Sequence, residues 1–384
     1  MFTALQLSQL QQLWWAIISV VGALFIFLTF VQGGQTLLVT EAQNNMERRA
    51  IANSLGRKWE LTFTTLVLFG GALFAAFPLF YATSFGGAYW LWIAILFTFI
   101  LQAVSYEFRG KPGNLLGTRT YDRFLFINGS VGLFLIGVAI GTFFTGADFS
   151  LNEFNAVTWQ HPLRGLEAIL DLFNVTLGLF LVFLARMLGA MYLVNNIDFI
   201  HPDLLGLNDR LRRSAFKSLL LALPFLLYVL ASWAVMTGYA VEQAHGRIVL
   251  EEGKYLHNLL AMPANLVLLG FGFVLVLLAV IITRRTQSSR GIWLGGFGSI
   301  LMALAIFFTA GFNNTAFYPS RFDLQSSLTI ANASSSRYTL TVMSYVALAV
   351  PIVLAYIAYF WHRMDAKKIS AEEIIRGESA REMY

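Results

Sequence analysis

The sequence predicts an all-α protein that crosses a membrane nine times, and three observations carry that prediction. Of 384 residues, 57% are apolar and only 12% are charged, and the mean hydropathy is +0.66. The apolar residues gather into nine runs, each close to the roughly 20 residues that a helix needs to cross a hydrocarbon core about 30 Å thick. Lys and Arg alternate with those runs, 20 in one set of connections against 5 in the other, with Arg186 alone inside a run. A soluble domain is about 25% charged, so this composition excludes a soluble enzyme, a disordered chain and a nucleic-acid-binding module. The absence of Cys removes thiolate metal sites, iron–sulfur clusters, thioether-linked haem and disulfides.

The runs lie at about 14–38, 61–85, 88–106, 124–145, 165–194, 215–238, 264–283, 292–312 and 340–361. None shows the strict alternation of a membrane β-barrel, so helices are the economical way to satisfy the backbone in lipid. The first run has no basic start and no small-residue cleavage pattern, and is expected to be retained as a span. The chain reads as a single integral membrane domain, 1–384. Residues 14–145 and 165–312 are expected to form two four-helix bundles, with 340–361 a peripheral ninth helix and 364–384 a cytoplasmic tail. In the tail, Ser370-Ala371-Glu372-Glu373 reads as the capped start of a short helix.

Orientation follows from the basic residues. Arg48, Arg49, Arg57 and Lys58 precede the second helix, Arg210, Arg212, Arg213 and Lys217 precede or open the sixth, and further sets follow helices three, seven and nine. This alternation predicts an outer N-terminus and a cytoplasmic C-terminus.

Polar side chains at membrane depth are costly, about 2.5 to 3.5 kcal/mol for a central charge on insertion scales, so each is a candidate for function. Gln32 and Gln35 stand one turn apart around Gly33-Gly34, which places both amides on one helix face and lets a neighbouring backbone or a flat ligand approach closely. They read either as interhelical hydrogen bonds or as part of a ligand or proton path. Glu60 opens the second helix; Gln102, Tyr106 and Glu107 close the third. A helix N-terminus suits the Glu60 carboxylate, whereas the dipole opposes Glu107, for which Arg109 or Arg119 would be ion-pair partners. Two carboxylates, three glutamines and a tyrosine from consecutive helices would make a polar inlet from the cytoplasm. In the fifth helix Asp171 and Asn174 lie near the outer side and Arg186 deeper. Asp171 and Arg186 are about 22 Å apart along the axis, too far to pair, so Arg186 must snorkel or find another partner. Those three residues also suggest a rival class, a secondary transporter with its site among them. His161, His201, His245, His257 and His362 fall in connections or at a helix end, and of these only His257 comes near a haem-ligating position. No metal or haem ligand is expected from this chain.

The strings Arg48-Arg49, Asn53-Ser54, Trp59-Glu60, Gly70-Gly71-Ala72-Leu73-Phe74-Ala75-Ala76-Phe77-Pro78, Tyr106-Glu107-Phe108-Arg109, Pro319-Ser320, Ser327-Leu328-Thr329, Asn332-Ala333-Ser334-Ser335 and Pro351-Ile352 resemble subunit II of the cytochrome bd-type quinol oxidases. The resemblance is good over helices one to three and eight to nine and weak between. It implies a bacterial cytoplasmic (inner) membrane complex that oxidises quinol and reduces O₂ to water. Its haem-bearing subunit I would hold two b-type haems, one d-type haem and the quinol site. A small single-helix accessory subunit, membrane lipid and a structural quinone are further partners the resemblance implies; nucleic acid is not one. Glu60 and Glu107 stand where the family usually has Asp in a hydrophilic channel feeding protons inward. Gln32-Gly33-Gly34-Gln35 stands where the family often has Asp-Gly-Phe-Asp, and Gln102 where some relatives have Arg. The expected proton pathway is therefore Glu60, Glu107, Gln102, Gln32 and Gln35.

Overall fold

The computed structural model describes residues 2–111, 113–242 and 245–380, with side chains up to Arg376. Among the described residues nine helical segments are long and apolar enough to cross a membrane, Leu7–Thr40, Asn45–Ala76, Tyr89–Phe108, Thr118–Thr145, Leu172–Asn196, Pro202–Val235, Pro263–Arg285, Gly291–Gly311 and Arg337–Asp365.

Several spans are compound, and local chemistry says where each one breaks. The first divides into α1 (Leu7–Leu28) and α2 (Phe30–Thr40) at Thr29, whose hydroxyl donates back to the Ile26 carbonyl at 2.5 Å, a bond that bends helices. The second has an amphipathic lead-in, α3 (Asn45–Gly56), capped by Asn44 accepting from Glu47 N–H at 2.8 Å, before α4 (Trp59–Ala76). Pro78 ends α4, because the residue before a proline is driven out of the helical region; Phe77 sits at φ −132°, ψ 64°. The short α5 (Pro78–Tyr81) and a wide π turn at Ala82–Gly87 lead to α6 (Tyr89–Phe108). A second π turn, Asn128–Gly132, joins α7 (Thr118–Ile127) to α8 (Leu133–Thr145).

Then follow α9 (Leu172–Asn196), α10 (Pro202–Val235), α11 (Lys254–Ala261), α12 (Pro263–Arg285), α13 (Gly291–Gly311), α14 (Arg337–Ala347), α15 (Val350–Asp365) and α16 (Ala371–Ala380). The break between α14 and α15 stands before Pro351, and Ser370 Oγ accepts from Glu373 N–H at 3.2 Å to cap α16. Helix α9 lies deepest, packed by α2, α8, α10 and α13. It begins at Leu172 rather than near residue 165, because Leu166–Leu170 form a separate 3₁₀ turn that ends at Asp171, whose extended backbone (φ −84°, ψ 125°) caps α9. The sixth span begins at Pro202, with a charge-bearing lead-in ahead of its apolar run at 215.

The polar connections expected as loops contain three antiparallel hairpins: β1 (Phe149–Leu151) with β2 (Val157–Trp159), β3 (Thr237–Val241) with β4 (Ile248–Glu252), and β5 (Ala316–Tyr318) with β6 (Leu328–Thr329). They tie together across the end of the bundle: Val241 N–H donates to Asn314 O at 2.8 Å, and the Gln325 amide brackets the Ile248 backbone at 3.1 and 2.9 Å. Beneath them Tyr255 donates to the Phe144 carbonyl at 2.9 Å. Burial pushes the Tyr255 and Tyr318 phenols well above their ordinary range, with the Ser84 and Thr142 hydroxyls only partly relieving Tyr318. A phenol raised in the fold stabilises it fully below its unfolded value of about 10, and that contribution is lost as pH rises beyond it. Alkaline ultraviolet titration should therefore show a late tyrosine step that coincides with unfolding and shrinks in Tyr255→Phe and Tyr318→Phe. Ionisation of these phenols ahead of unfolding would contradict it.

Candidate functional site

The i, i+3 spacing of Gln32 and Gln35 on α2 turns both amides toward α6, where Gln102 and Tyr106 sit one turn apart. Gln32 Nε2 donates to Gln102 Oε1, and Gln35 Nε2 donates to Tyr106 Oη, both at 3.3 Å. The Tyr106 ring is stacked on Trp59 at the head of α4, centroids 5.8 Å apart and planes 14° from parallel. One turn further along α6, Thr98 Oγ1 accepts from Asn128 Nδ2 at 3.3 Å, and Asn128 is presented by the second π turn, a distortion frequent at functional sites. Gln32, Gln35, Gln102 and Asn128 are completely buried. Three consecutive spans and the start of the fourth thus share one enclosed polar seam.

That seam is under-filled. Gln32 Oε1, Gln35 Oε1, Gln102 Nε2, Asn128 Oδ1 and the Trp59 indole N–H have no hydrogen-bond partner among the described residues. Each such group costs about 1 to 3 kcal/mol if it stays unpaired, and buried polar atoms that lack protein partners are normally satisfied by water. The orphaned atoms are three acceptors (Gln32 Oε1, Gln35 Oε1, Asn128 Oδ1) and two donors (Gln102 Nε2, Trp59 Nε1), and water, which both donates and accepts, can satisfy either kind.

The two carboxylates stand outside it. Glu60 and Glu107 are exposed on the surface of the chain, and among the described residues neither carboxylate makes a hydrogen bond or ion pair. Each is next in sequence to one member of the stacked Trp59–Tyr106 pair, so the carboxylates flank the seam without joining it. On the same helices Val67, Leu68 and Phe74 of α4 and Trp90, Ile93, Phe97, Ile100 and Phe108 of α6 are also exposed. The expected arginine partner of Glu107 is engaged elsewhere: Arg109 Nε bonds Asp122 Oδ1 at 2.6 Å with both side chains buried, and Arg48 approaches Asp122 Oδ2 at 3.5 Å. A buried guanidinium needs the nearest desolvated carboxylate, and Asp122 on α7 supplies it, whereas Glu107 points away.

The residues of the rival transporter reading do not converge. Asp171 caps α9, accepting from the N–H groups of Phe173 and Asn174 at 2.9 and 3.3 Å. Asn174 is buried between the Ala168 carbonyl (3.1 Å) and Thr145 Oγ1 (2.9 Å). Arg186, in the second half of α9, neither snorkels nor stays alone: it donates to Thr36, Thr40 and Ser214 hydroxyls at 2.7, 2.8 and 3.3 Å and pairs with Glu41 at 3.3 Å. All three are occupied in helix termini and interhelical contacts.

Sequence reasoning missed Asp122, Glu41, the wholly buried Lys58 and its partner Asp365 at 3.0 Å. All lie in or beside charge-rich connections that read as solvated, and only the folded chain reveals which of those charges turn inward. Among the described residues no group of three or more His, Asp or Glu is placed to hold a metal. His257 is exposed and bonded to Glu251 at 2.9 Å; burial is the largest single influence on the Glu251 carboxyl and raises it, but the hydrogen bonds and charges of His257 and Lys254 together outweigh it and hold the group below its usual range. Among the described residues His161 and His201 are half-buried and His245, His257 and His362 exposed, and none is buried within a span.

Residues 10–364 match the family model described as cytochrome bd terminal oxidase subunit II. The chain belongs to that family. Subunit II relatives include the cytochrome bd-I ubiquinol oxidase subunit 2 of Escherichia coli strain K12, 29% identical over 96% of this chain and 97% of that one. The cytochrome bd ubiquinol oxidase subunit 2 of Bacillus subtilis strain 168 is 26% identical over 96% of this chain and 99% of its own. A bd oxidase chain from Geobacillus thermodenitrificans shares the fold, with a TM-score of 0.60 at 11% identity over 93% of this chain and 98% of that one. As a subunit II, the chain is part of an oxidoreductase complex and a multi-pass membrane protein with a subunit I partner.

Proposed function

We propose that this subunit II holds no haem itself and serves a subunit I that oxidises quinol and reduces O₂ to water, contributing the docking face and part of the proton inlet from the cytoplasm. The observation that carries this reading is the enclosed seam Gln32–Gln102, Gln35–Tyr106 with its unpaired amide atoms, which hydrates itself and conducts protons by relay through water. Glu60 and Glu107 are the carboxylates that deliver protons to it. Their exposure, with that of the apolar strip on α4 and α6, is what a face covered by the partner would show, and the partner completes the path to the oxygen site. The amides orient water but carry no titratable proton, so proton transfer between bulk and seam rests on the two glutamates. The excess of Lys and Arg in the connections at this end supports a cytoplasmic placement. The two b-type haems and the d-type haem, and the quinol pocket, belong to subunit I. The two four-helix bundles, 14–145 and 165–312, with a peripheral ninth helix, complete the proposal.

The test is the reduced-minus-oxidised visible spectrum of what copurifies with a tagged chain in mild detergent. Chlorin and b-type haem bands on a second polypeptide are expected. A chain that is stable alone and binds solute without haem would return the transporter reading.

A further inference from the structure

The last turns of α15 and the chain beyond it are fastened to the inlet end of the bundle at successive points. Trp361 lies against Phe27 and Phe30, with centroids 6.2 and 5.8 Å away. Asp365 Oδ1 pairs with Lys58 Nζ at 3.0 Å and accepts from Asn196 Nδ2 at 3.0 Å. Ile369 is bonded through its backbone to Asn196 O and Asp198 N–H at 2.9 and 2.8 Å. Glu373 pairs with Arg57 at 2.5 Å.

Lys58 is the hinge of this arrangement. Its N–H closes α3 on Leu55 O at 2.9 Å and its carbonyl opens α4, accepting from Leu61 N–H at 3.1 Å, so its backbone is the corner between the two helices. Its side chain is wholly buried, with the ammonium 5.1 Å over the Trp361 ring and 3.8 Å from Met364 Sδ. A buried ammonium demands a counter-charge, and Asp365 is the carboxylate that meets it. The next two residues are Trp59, stacked on Tyr106 of the seam, and Glu60.

We propose that Asp365 is a positioning residue for proton uptake: through Lys58 it fixes the head of α4, and so sets Trp59 and Glu60 against the α6 seam. This rests on the inlet reading. Asn196 aims Asp365, and is itself held by Ser54 Oγ at 2.7 Å, so the strap, α3 and α9 act on one carboxylate. The Arg57–Glu373 pair and the Tyr192 phenol are the other ionisable groups facing this corner.

The experiment compares Asp365→Asn, Asp365→Glu and Glu60→Gln in the intact complex. Asp365→Asn is expected to lower kcat about tenfold, the scale of losing sub-ångström placement of a reacting group, to leave KM for quinol unchanged and to enlarge the solvent deuterium isotope effect. Asp365→Glu should recover most of the rate, and adding Lys58→Met to Asp365→Asn should cause no further loss. If Asp365→Asn alone does not assemble, the double variant Asp365→Asn/Lys58→Met, which leaves no buried charge unpaired, is measured in its place, and wild-type turnover with a wild-type isotope effect in it overturns the proposal. Glu60→Gln slowing turnover while assembled Asp365 variants match the wild type overturns the strap and leaves the inlet standing. Wild-type turnover in Glu60→Gln overturns the inlet and the strap with it.

Discussion

Replacing Glu60 and Glu107 together by Gln in the assembled complex is expected to lower quinol-driven O₂ consumption about a hundredfold near neutral pH, with haem content and KM for quinol unchanged. The magnitude is the lower end of what a positioned acid or base contributes to proton transfer, about 10² to 10⁴. Gln preserves shape and hydrogen-bonding capacity while removing the titratable proton, so the variant isolates proton delivery from packing. Both side chains are exposed on the chain and unpaired among the described residues, so the swap should change the stability of the subunit by no more than about 0.5 kcal/mol. The amides of the seam, Gln32, Gln35, Gln102 and Asn128, carry no titratable proton and cannot stand in for them. The single variants should each retain part of the rate if the two carboxylates feed the seam in parallel, and neither should do so if they act in series. Oxygen uptake and its pH profile, measured on detergent-purified complex of matched haem content, check the prediction. Wild-type turnover in the double variant would reduce both glutamates to interface residues.

What could be read from the sequence, and what could not, divides along a physical line. Hydrophobic runs report the spans because lipid imposes one rule on every residue of a helix, and all nine segments of the structure overlap the runs read from the sequence. The Gln32–Gln35 pair could be read for the same reason: the face is fixed by helical period, and amides at membrane depth must find partners. The glycines between them announced a close backbone, and α9 is that backbone. Charged connections obey no such rule. Arg109, Asp122, Lys58 and Asp365 look like ordinary loop residues in the sequence, yet their side chains are at most 11% exposed, because partners 13 and 307 positions away in the chain meet them. Asp171 misled in the opposite sense: placed within the fifth apolar run by its neighbours, it is a helix cap, the extended residue between the short turn at Leu166–Leu170 and α9. The three hairpins escaped because short strands of two to five residues leave no periodic signal.

Gly33→Leu should prevent assembly of the complex altogether, and Gly189→Leu should do the same, although neither residue touches a reacting group. A Cβ on Gly33 would lie 2.0 Å from the Ala185 carbonyl carbon and 2.3 Å from Arg186 N, and one on Gly189 would lie 2.3 Å from Gly34 N and 2.6 Å from Phe30 O. These are backbone atoms on the facing helix, so no side-chain rotation relieves the overlap, and α2 and α9 must part along their length. Overpacking a core costs about 1 to 3 kcal/mol when side chains can yield; here the cost should exceed that range, and small residues at such crossings are what hold helices together in lipid. Gly270→Leu on α12, away from the apolar strip on α4 and α6, is the control, since nothing lies within 4 Å of its Cβ, and it should assemble with an unchanged Tm. The recovered complex and its Tm in mild detergent are the readouts. Because Gly33 and Gly34 stand between Gln32 and Gln35, any separation of α2 from α9 that the membrane did tolerate would also turn both amides on α6. A partly assembled Gly33→Ala variant is therefore expected to lose turnover further than it loses stability, and equal losses would mean that the crossing holds the subunit together without holding the seam in register.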